Sequence, residues 1–206
     1  MPIFPLTGVL LLPRGQLPLN IFEPRYLAMT EDALGRGRII GMVQPKTALD
    51  ERTRDNPPVY ETGCAGRIVS FAETDDGRYL ITLLGVSRFR IADELDLERE
   101  YRRVTPDYLS FAEDLITRDQ NLPERDGRLE TIRSYFSLRK IDADWPSIEG
   151  APDEPLVNSL AMLCPFAPNE KQALLECPDL QDRNALLMSL MKMAIHGEGN
   201  APTQAH

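Results

Sequence analysis

The sequence predicts an α+β protein, with a small antiparallel β-barrel in its first half and a bundle of α-helices in its second. Before about residue 115, short apolar runs separated by Pro and Gly have the pattern of strands. After it, apolar residues recur at intervals of three and four, as along one face of a helix. We therefore expect a barrel domain over 1–115, a helical bundle packed on the barrel over 116–197, and a disordered tail over 198–206.

The clearest strand signal is a hairpin. The β-rich runs "GCAGRIVSFAET" and "RYLITLLGVSRFRI" flank Asp75–Gly77, and Asp-Gly between two such runs is a strong hairpin signal. Gly63, Gly66 and Gly85 fall at or inside these strands, where they indicate bulges or sharp bends of the kind that a closing barrel requires.

The remaining barrel elements are shorter. The patterns predict one early helix at about 25–35, a buried strand in "GRIIGMVQP" that Pro45 closes, and a further strand in "EYRRVTPDYLSF". The polar segment "KTALDERTRDNPP" has no periodicity and is interpreted as a surface loop.

Four segments of the second half have helical spacing: "PERDGRLETIRSYFSLRK", "DEPLVNSLAMLCPF", "APNEKQALLEC" and "PDLQDRNALLMSLMKMAIHG". Asp179 is the predicted N-cap of the last helix and Gly197 its predicted end. "DADWPSIEGAPDEP" is interpreted as a connector.

Composition limits the function. Hydrophobic residues make up 42% of the 206 residues, which is enough for a sizeable core, and the net charge is −9. This charge disfavours binding to nucleic acid and to anionic membranes. We find no signal-peptide pattern and no apolar run of transmembrane length, so we expect a soluble, cytoplasmic protein. Three cysteines without a C-x-x-C motif are expected to be buried thiols.

The residues that usually carry catalysis are scarce. The two histidines, His196 and His206, stand near the end of the chain, and no Cys/His cluster or phosphate-binding loop is present. Lys46 is expected in the polar loop, and the other three lysines are expected on polar helix faces or at helix ends. The carboxylates have roles in turns, in caps and on solvated faces. We therefore expect no catalytic, cofactor-binding or metal-binding residues and no cofactor.

The arginines of the barrel leave an alternative open. Arg88, Arg90, Arg99, Arg102 and Arg103 fall on successive strands near aromatic residues, a pattern that could bind RNA. The acidic run 93–100 lies between them, so arginines neutralised on a β surface are the favoured interpretation.

The segment "LPLNIFEPRY" places an acid, a proline and a base where a strand passes into a helix. In the structural interpretation, Pro24 begins the helix, Glu23 satisfies its amides, Arg25 pairs with a carboxylate, and Phe22 and Tyr26 staple the helix to the barrel. In the functional interpretation, Arg25 and Tyr26 border a binding groove.

This segment, together with "FPL" at residues 4–6 and the strands around Asp75–Gly77, resembles the amino-terminal substrate-binding domain of Lon proteases. The resemblance covers roughly residues 1–197. The ATPase and Ser-Lys peptidase modules of Lon have no counterpart here, so the resemblance implies a stand-alone domain without enzymatic activity.

The resemblance also implies a PUA-like barrel and a partner. Such a domain binds unfolded, extended or degron-bearing polypeptide segments, here expected in a groove between barrel and bundle. The candidate contacts are Phe22, Arg25, Tyr26, Phe71 and Phe89. The alternatives are self-association, an adaptor that docks on a separate ATP-dependent protease, and RNA binding through the PUA-like barrel.

Overall fold

The computed structural model describes residues 1–46, 56–96, 99–116 and 121–199. The strands are β1 (Ile3–Pro5), β2 (Gln16–Ile21), β3 (Ile39–Val43), β4 (Thr62–Glu73), β5 (Tyr79–Leu95) and β6 (Arg103–Asp107). The helices are α1 (Pro24–Gly35), α2 (Arg125–Arg139), α3 (Trp145–Gly150), α4 (Asp153–Leu163), α5 (Pro168–Glu176) and α6 (Leu180–Gly199), with a 3-10 helix at Leu109–Leu115.

The chain forms two compact units. The first comprises Met1–Arg118 with Met162–Glu176, and the second comprises Asp119–Ala161 with Cys177–His206. The first unit therefore includes α5, which the sequence assigns to the helical part. Two hydrogen bonds show why: the Gln172 side-chain amide donates to the Thr62 carbonyl at 3.2 Å, and the Arg88 guanidinium donates to the Leu175 carbonyl at 3.1 Å.

The first unit is built on one six-stranded sheet. Its order is β1-β3-β4-β5-β2, and β6 also pairs with β5. The long strand β5 pairs with β2 along Tyr79–Leu84 and with β6 along Arg90–Leu95. β1 runs parallel to β3, while the other pairs are antiparallel. The sheet is therefore mixed, which corrects the expectation of a wholly antiparallel barrel.

Hydrogen bonds between the chain start and β6 close the sheet on itself. The Ile3 amide donates to the Arg102 carbonyl at 3.0 Å, and the Val104 amide donates to the Met1 carbonyl at 2.8 Å. Ile3, Val43, Ala65, Phe89 and Val104 form a buried cluster of apolar side chains contributed by five strands. The barrel is thus filled by side chains.

The predicted hairpin and its bulges are present. β4 and β5 meet at a turn where Gly77 has φ +76°, and their register shifts between Ala65 and Gly66. Gly66 is paired with Gly85 at that shift. A Cβ on Gly85 would lie 2.0 Å from the Leu12 carbonyl oxygen, so the backbones approach as closely as only glycine allows.

The helices of the second unit agree with the sequence in type and differ in detail. Asp179 caps α6, because its Oδ1 accepts from the Asp182 amide at 2.9 Å. Gly197 does not end this helix, which continues to Gly199. The expected connector contains α3, where Pro146 occupies a first-turn position.

The predicted α+β class, with one early helix and the other helices after the strands, is confirmed. Cys64, Cys164 and Cys177 are buried thiols, as expected. Residues 200–206 of the expected tail, 198–206, and most of the expected loop, 47–55, lie outside the described residues. Within the described part of the chain, no helix is long and apolar enough to span a lipid bilayer.

Candidate functional site

The segment "FEPRY" forms the corner between β2 and α1. Pro24 is the first residue of α1, where its missing N–H costs no hydrogen bond. The Glu23 main-chain carbonyl accepts from the amides of Tyr26 at 2.9 Å and Leu27 at 3.0 Å. The Glu23 side chain makes no capping hydrogen bond, so the expectation that this carboxylate satisfies the helix amides is wrong. The backbone performs that role.

The side chains of the corner pair with each other. The Arg25 guanidinium lies 3.0 Å from the Glu23 carboxylate, and it also lies 4.6 Å from the centre of the Tyr26 ring. The Tyr26 ring packs on Phe4 of β1, with 4.3 Å between the ring centres. Tyr26 therefore staples the helix to the barrel, whereas the Phe22 side chain is 61% exposed and does not.

A groove of about 520 Å³ runs along this corner. It is lined by the end of β1, the end of β2 and the first turn of α1: Phe4, Pro5, Leu6, Leu19, Asn20, Ile21, Phe22, Glu23, Arg25 and Tyr26. Most of these side chains are apolar, and the two charged ones neutralise each other. The groove therefore suits an uncharged, apolar occupant.

The groove also follows a strand edge. β2 pairs with β5 on one side, and among the described residues no strand pairs with its other side. An edge strand can pair with an extended segment through its main chain. Pro18 has no N–H to donate to such a pairing, so the main-chain donors that β2 offers beside the groove come from the residues after Pro18.

The structure brings together three of the five candidate residues. Phe22, Arg25 and Tyr26 line the groove. Phe71 does not line the groove: it pairs opposite Ile81, which pairs opposite Leu19, so it lies two strands, or roughly 10 Å, from that residue. Phe89 is 0% exposed in the barrel core, so the expectation that it contacts a bound polypeptide is not met.

Sequence reasoning missed the groove residues contributed by the strands. Leu19 and Asn20 of β2 and Phe4 of β1 complete its walls. The strand-like pattern of "LPLNIF" indicated β2 itself. Nothing in that pattern indicates that β1, fifteen residues earlier, lies beside it, because this proximity follows from the pairing of β1 with β3.

Two arginines of the barrel each bind a carboxylate with two hydrogen bonds. Arg88 is buried and makes a bidentate contact with Asp114 at 2.8 and 2.9 Å. The Arg102 guanidinium binds Glu94 in the same way, at 2.6 and 2.7 Å, and holds the pKa of that carboxyl below its usual range. The expected neutralisation is thus found for Arg88 and Arg102, although Arg88 is buried and does not lie on a β surface.

One buried lysine departs from expectation. Lys171 is 7% exposed, although the sequence placed it on a polar face, and its ammonium donates to the Met162 carbonyl at 3.0 Å. Burial lowers the pKa of Lys171 and raises the pKa of the nearby Cys164 thiol to about 12. A thiol held in its protonated form is a poor nucleophile.

Among the described residues, no group of three or more His, Cys, Asp and Glu side chains is arranged to hold a metal ion.

Residues 1–193 match the family described as the ATP-dependent protease La (LON) substrate-binding domain. The chain is 26% identical over 195 residues to a Lon protease of Dictyoglomus thermophilum, covering 89% of this chain and 23% of that protein. It is 28% identical over 200 residues to Lon protease 2 of Sorangium cellulosum, covering 93% and 24%. The chain thus spans about a quarter of the length of these relatives.

Solved structures show the same fold. The Lon N-terminal domain protein from Xanthomonas campestris has a TM-score of 0.60 and 23% identity, covering 92% of this chain and 96% of that one. The N-terminal domain of a Mycobacterium avium complex Lon protease has a TM-score of 0.59 and 14% identity, covering 93% and 97%. Together with the match over residues 1–193, these observations show that the chain belongs to the family of LON substrate-binding domains.

Proposed function

We propose that this protein is a non-catalytic module that binds extended polypeptide segments, such as unfolded or degron-bearing chains, in the groove between β1, β2 and α1. The observation that carries the proposal is the coincidence of an apolar groove with the edge of β2. Membership of a family described as substrate-binding supports the same role.

The groove has the features that recognition of an extended segment needs. Main-chain hydrogen bonds to a strand edge provide affinity that does not depend on sequence, and side-chain pockets select alternate residues of the bound segment. Phe22 stands exposed at the rim, 6.0 Å from the Arg78 guanidinium of the hairpin turn. An apolar side chain of the client would cover Phe22 and so remove apolar surface from water.

The proposed role requires no chemistry on the bound segment. The matched relatives are proteases that are about four times as long as the matched region, and we propose that an ATP-dependent protease acts on the same clients. Addition of this protein to such a protease should then change the rate at which an unfolded client is degraded. An unchanged rate would count against this partner and leave the binding role to be tested directly.

The binding experiment compares an unfolded client with the same client folded. Fluorescence anisotropy of a labelled, reduced and carboxymethylated protein should show saturable binding, and its folded form should not bind. Phe22→Ala should weaken this binding by about tenfold, because truncation of an aromatic side chain that the client covers commonly costs about 1–2 kcal/mol, and about 1.4 kcal/mol is tenfold.

A matched control separates the groove from general stickiness. Leu109 is 86% exposed in the same unit and does not line the groove, so Leu109→Ala should leave affinity unchanged. Glu23→Ala removes a carboxylate that makes no capping hydrogen bond, so it should change stability by less than about 1 kcal/mol. Equal loss of affinity in the Phe22 and Leu109 variants would overturn the assignment of the groove.

A further inference from the structure

A second cleft lies within the helical unit. It has a volume of about 340 Å³ and is lined by residues of α2, its preceding loop and α6: Leu122, Pro123, Glu124, Gly127, Arg128, Thr131, Gln181, Asn184, Ala185, Met188, Ser189 and Lys192. The volume is within the range of ligand sites, roughly 300–1,000 Å³. In contrast to the groove at the β2–α1 corner, this cleft has mostly polar walls.

Two side chains that line this cleft each carry a buried polar atom with no hydrogen-bond partner. These atoms are the Arg128 Nε–H, a donor, and the Asn184 Oδ1, an acceptor. Arg128 is 3% exposed, and its other nitrogens are engaged with the Pro123 carbonyl at 3.0 Å and the Asp153 carboxylate at 2.5 Å. A buried polar group without a partner costs about 1–3 kcal/mol. A ligand that accepts from one atom and donates to the other would remove both costs.

The charge around the cleft is positive, although the chain as a whole is acidic. Asp153 accepts from two guanidinium groups, those of Arg125 and Arg128, each at 2.5 Å, so this cluster keeps one positive charge. Lys192 adds a second positive charge and Glu124 subtracts one, which leaves a net charge of +1. The cleft therefore favours an anionic group beside the Arg128 Nε–H.

The two hydroxyl groups of the cleft already donate their hydrogens to main-chain carbonyls. Thr131 and Ser189 donate to the carbonyls four residues earlier in their own helices, Gly127 and Ala185, both at 2.9 Å. The charged donors among the lining side chains are therefore Arg128 and Lys192, and Asn184 Oδ1 is the buried acceptor without a partner. The Asn184 side chain as a whole is only half-buried, so its carboxamide can turn to present this oxygen to a bound group.

We propose that this cleft binds a carboxylate that carries a neighbouring amide N–H, the group found at the carboxyl terminus of a polypeptide. The terminal carboxylate accepts from the Arg128 Nε–H and from the Lys192 ammonium. The N–H of the terminal residue donates to Asn184 Oδ1. This site lies in the second unit and is independent of the groove at the β2–α1 corner, which recognises a segment without a charged end.

The test uses the full chain and two small peptides, acetyl-trialanine with a free carboxylate and the same peptide with a carboxamide end. Calorimetric titration should show that the free acid binds at least about tenfold more tightly than the amide, as loss of one charge-assisted hydrogen bond implies. On binding, the Arg128 Nε–H resonance should move downfield in an NMR spectrum of arginine side chains, because that proton gains an acceptor.

Two variants keep the test specific. Lys192→Gln should weaken binding of the free acid and leave binding of the amide unchanged. Asn184→Leu should weaken binding of both peptides. As a control, Lys46→Gln removes a charge in the first unit and should not change the affinity for either peptide. Phe22→Ala, in the groove at the β2–α1 corner, should also leave the affinity of the cleft unchanged. Equal binding of acid and amide, or an Arg128 resonance that does not move while the acid binds, would overturn the proposal. Failure of the free acid to bind would overturn it too, and would leave the two buried atoms to be satisfied by a water molecule.

Discussion

Arg88 shows how a single residue can suggest one function and serve another. By its position in a basic, aromatic-rich strand pair, it belongs to the pattern of an RNA-binding surface. The structure buries it, pairs it with Asp114 and places it 4.6 Å from the centre of the Phe111 ring. Its charge is therefore engaged in holding the 3-10 helix and α5 to β5, and is not available to a phosphate.

Asp114→Ala is expected to destabilise the first unit by about 3–5 kcal/mol, because it leaves the Arg88 guanidinium buried and unpaired. Urea titration followed by circular dichroism measures this loss. The double variant Arg88→Met with Asp114→Leu should recover most of the stability, since apolar replacement removes both buried charges. A loss below 1 kcal/mol for Asp114→Ala would contradict the role assigned to the pair.

The hydrogen bond that Tyr101 donates to Asp32 at 2.6 Å makes the stability of the protein depend on pH in two ranges, one acidic and one alkaline. It lowers the pKa of Asp32 below its usual 3.8, so the stabilisation from Asp32 is complete above that value and is lost as the pH falls through the lower, folded value. Burial, and then this bond, raise the pKa of Tyr101 from 10.0 to about 12, so its stabilisation is complete below pH 10 and is lost as the pH rises through 12.

Tyr101→Phe should therefore remove one late-titrating tyrosine from the ultraviolet absorbance titration and flatten the loss of stability between pH 10 and 12. Tyr79, whose pKa its hydrogen bond to Glu31 raises to about 12, provides the comparison. Tyr79→Phe should remove a second late transition and leave that of Tyr101 in place. Ordinary titration of Tyr101 near pH 10 would show that the bond to Asp32 does not form.

At the scale of elements, the hairpin β4–β5 organises the first unit. β5 pairs with β4 on one edge and with β2 and β6 along successive parts of the other. The bulge near Gly66 and Gly85 divides these two parts, and there the segment before β2 crosses β5: the Gly85 amide donates to the Gly15 carbonyl at 2.8 Å. The curvature that closes the sheet thus depends on glycine at a fixed position.

Gly85→Ala is expected to destabilise the protein by at least about 1–3 kcal/mol, because its Cβ meets main-chain atoms of Leu12 that cannot rotate away. Thermal unfolding measured by calorimetry tests this. The control is Gly35→Ala at the end of α1, where a Cβ meets no atom within 4 Å and the change should be neutral or slightly stabilising. Equal melting temperatures for the two variants would contradict the close approach.

At the scale of the whole molecule, the charge is unevenly arranged. The net charge is −9, yet the helical cleft has a local excess of positive charge, and the barrel arginines Arg88 and Arg102 are bound to carboxylates. A nucleic acid would meet a repulsive field with few arginines to contact. The acidic field is compatible with the polypeptide clients that we propose, because their apolar side chains carry no charge.

The protein is therefore expected to show no shift of structured RNA in gel electrophoresis, even at low salt where phosphate contacts are strongest. The reason is the summed charge together with the pairing of Arg88 and Arg102. A shift that weakens steeply as salt is added would contradict this expectation and restore the RNA alternative.

The sequence by itself determined the elements and the family. Asp75–Gly77 marks a hairpin because few residue pairs adopt the backbone angles of a tight turn, and Pro24 marks a helix start because Pro is tolerated in the first turn. Asp179 was identified as a cap for the same local reason. These features depend on neighbours within a few residues, so a linear pattern contains them.

Tertiary structure alone decided which residues meet. The groove joins Phe4 to Leu19, the buried pair joins Arg88 to Asp114, and the helical cleft joins Arg128 to Asn184. It also buried Phe89 and Lys171, which the sequence had placed at a surface. These contacts depend on strand pairing and helix packing between distant segments, and a periodic pattern records which face of an element is apolar without recording what that face will touch.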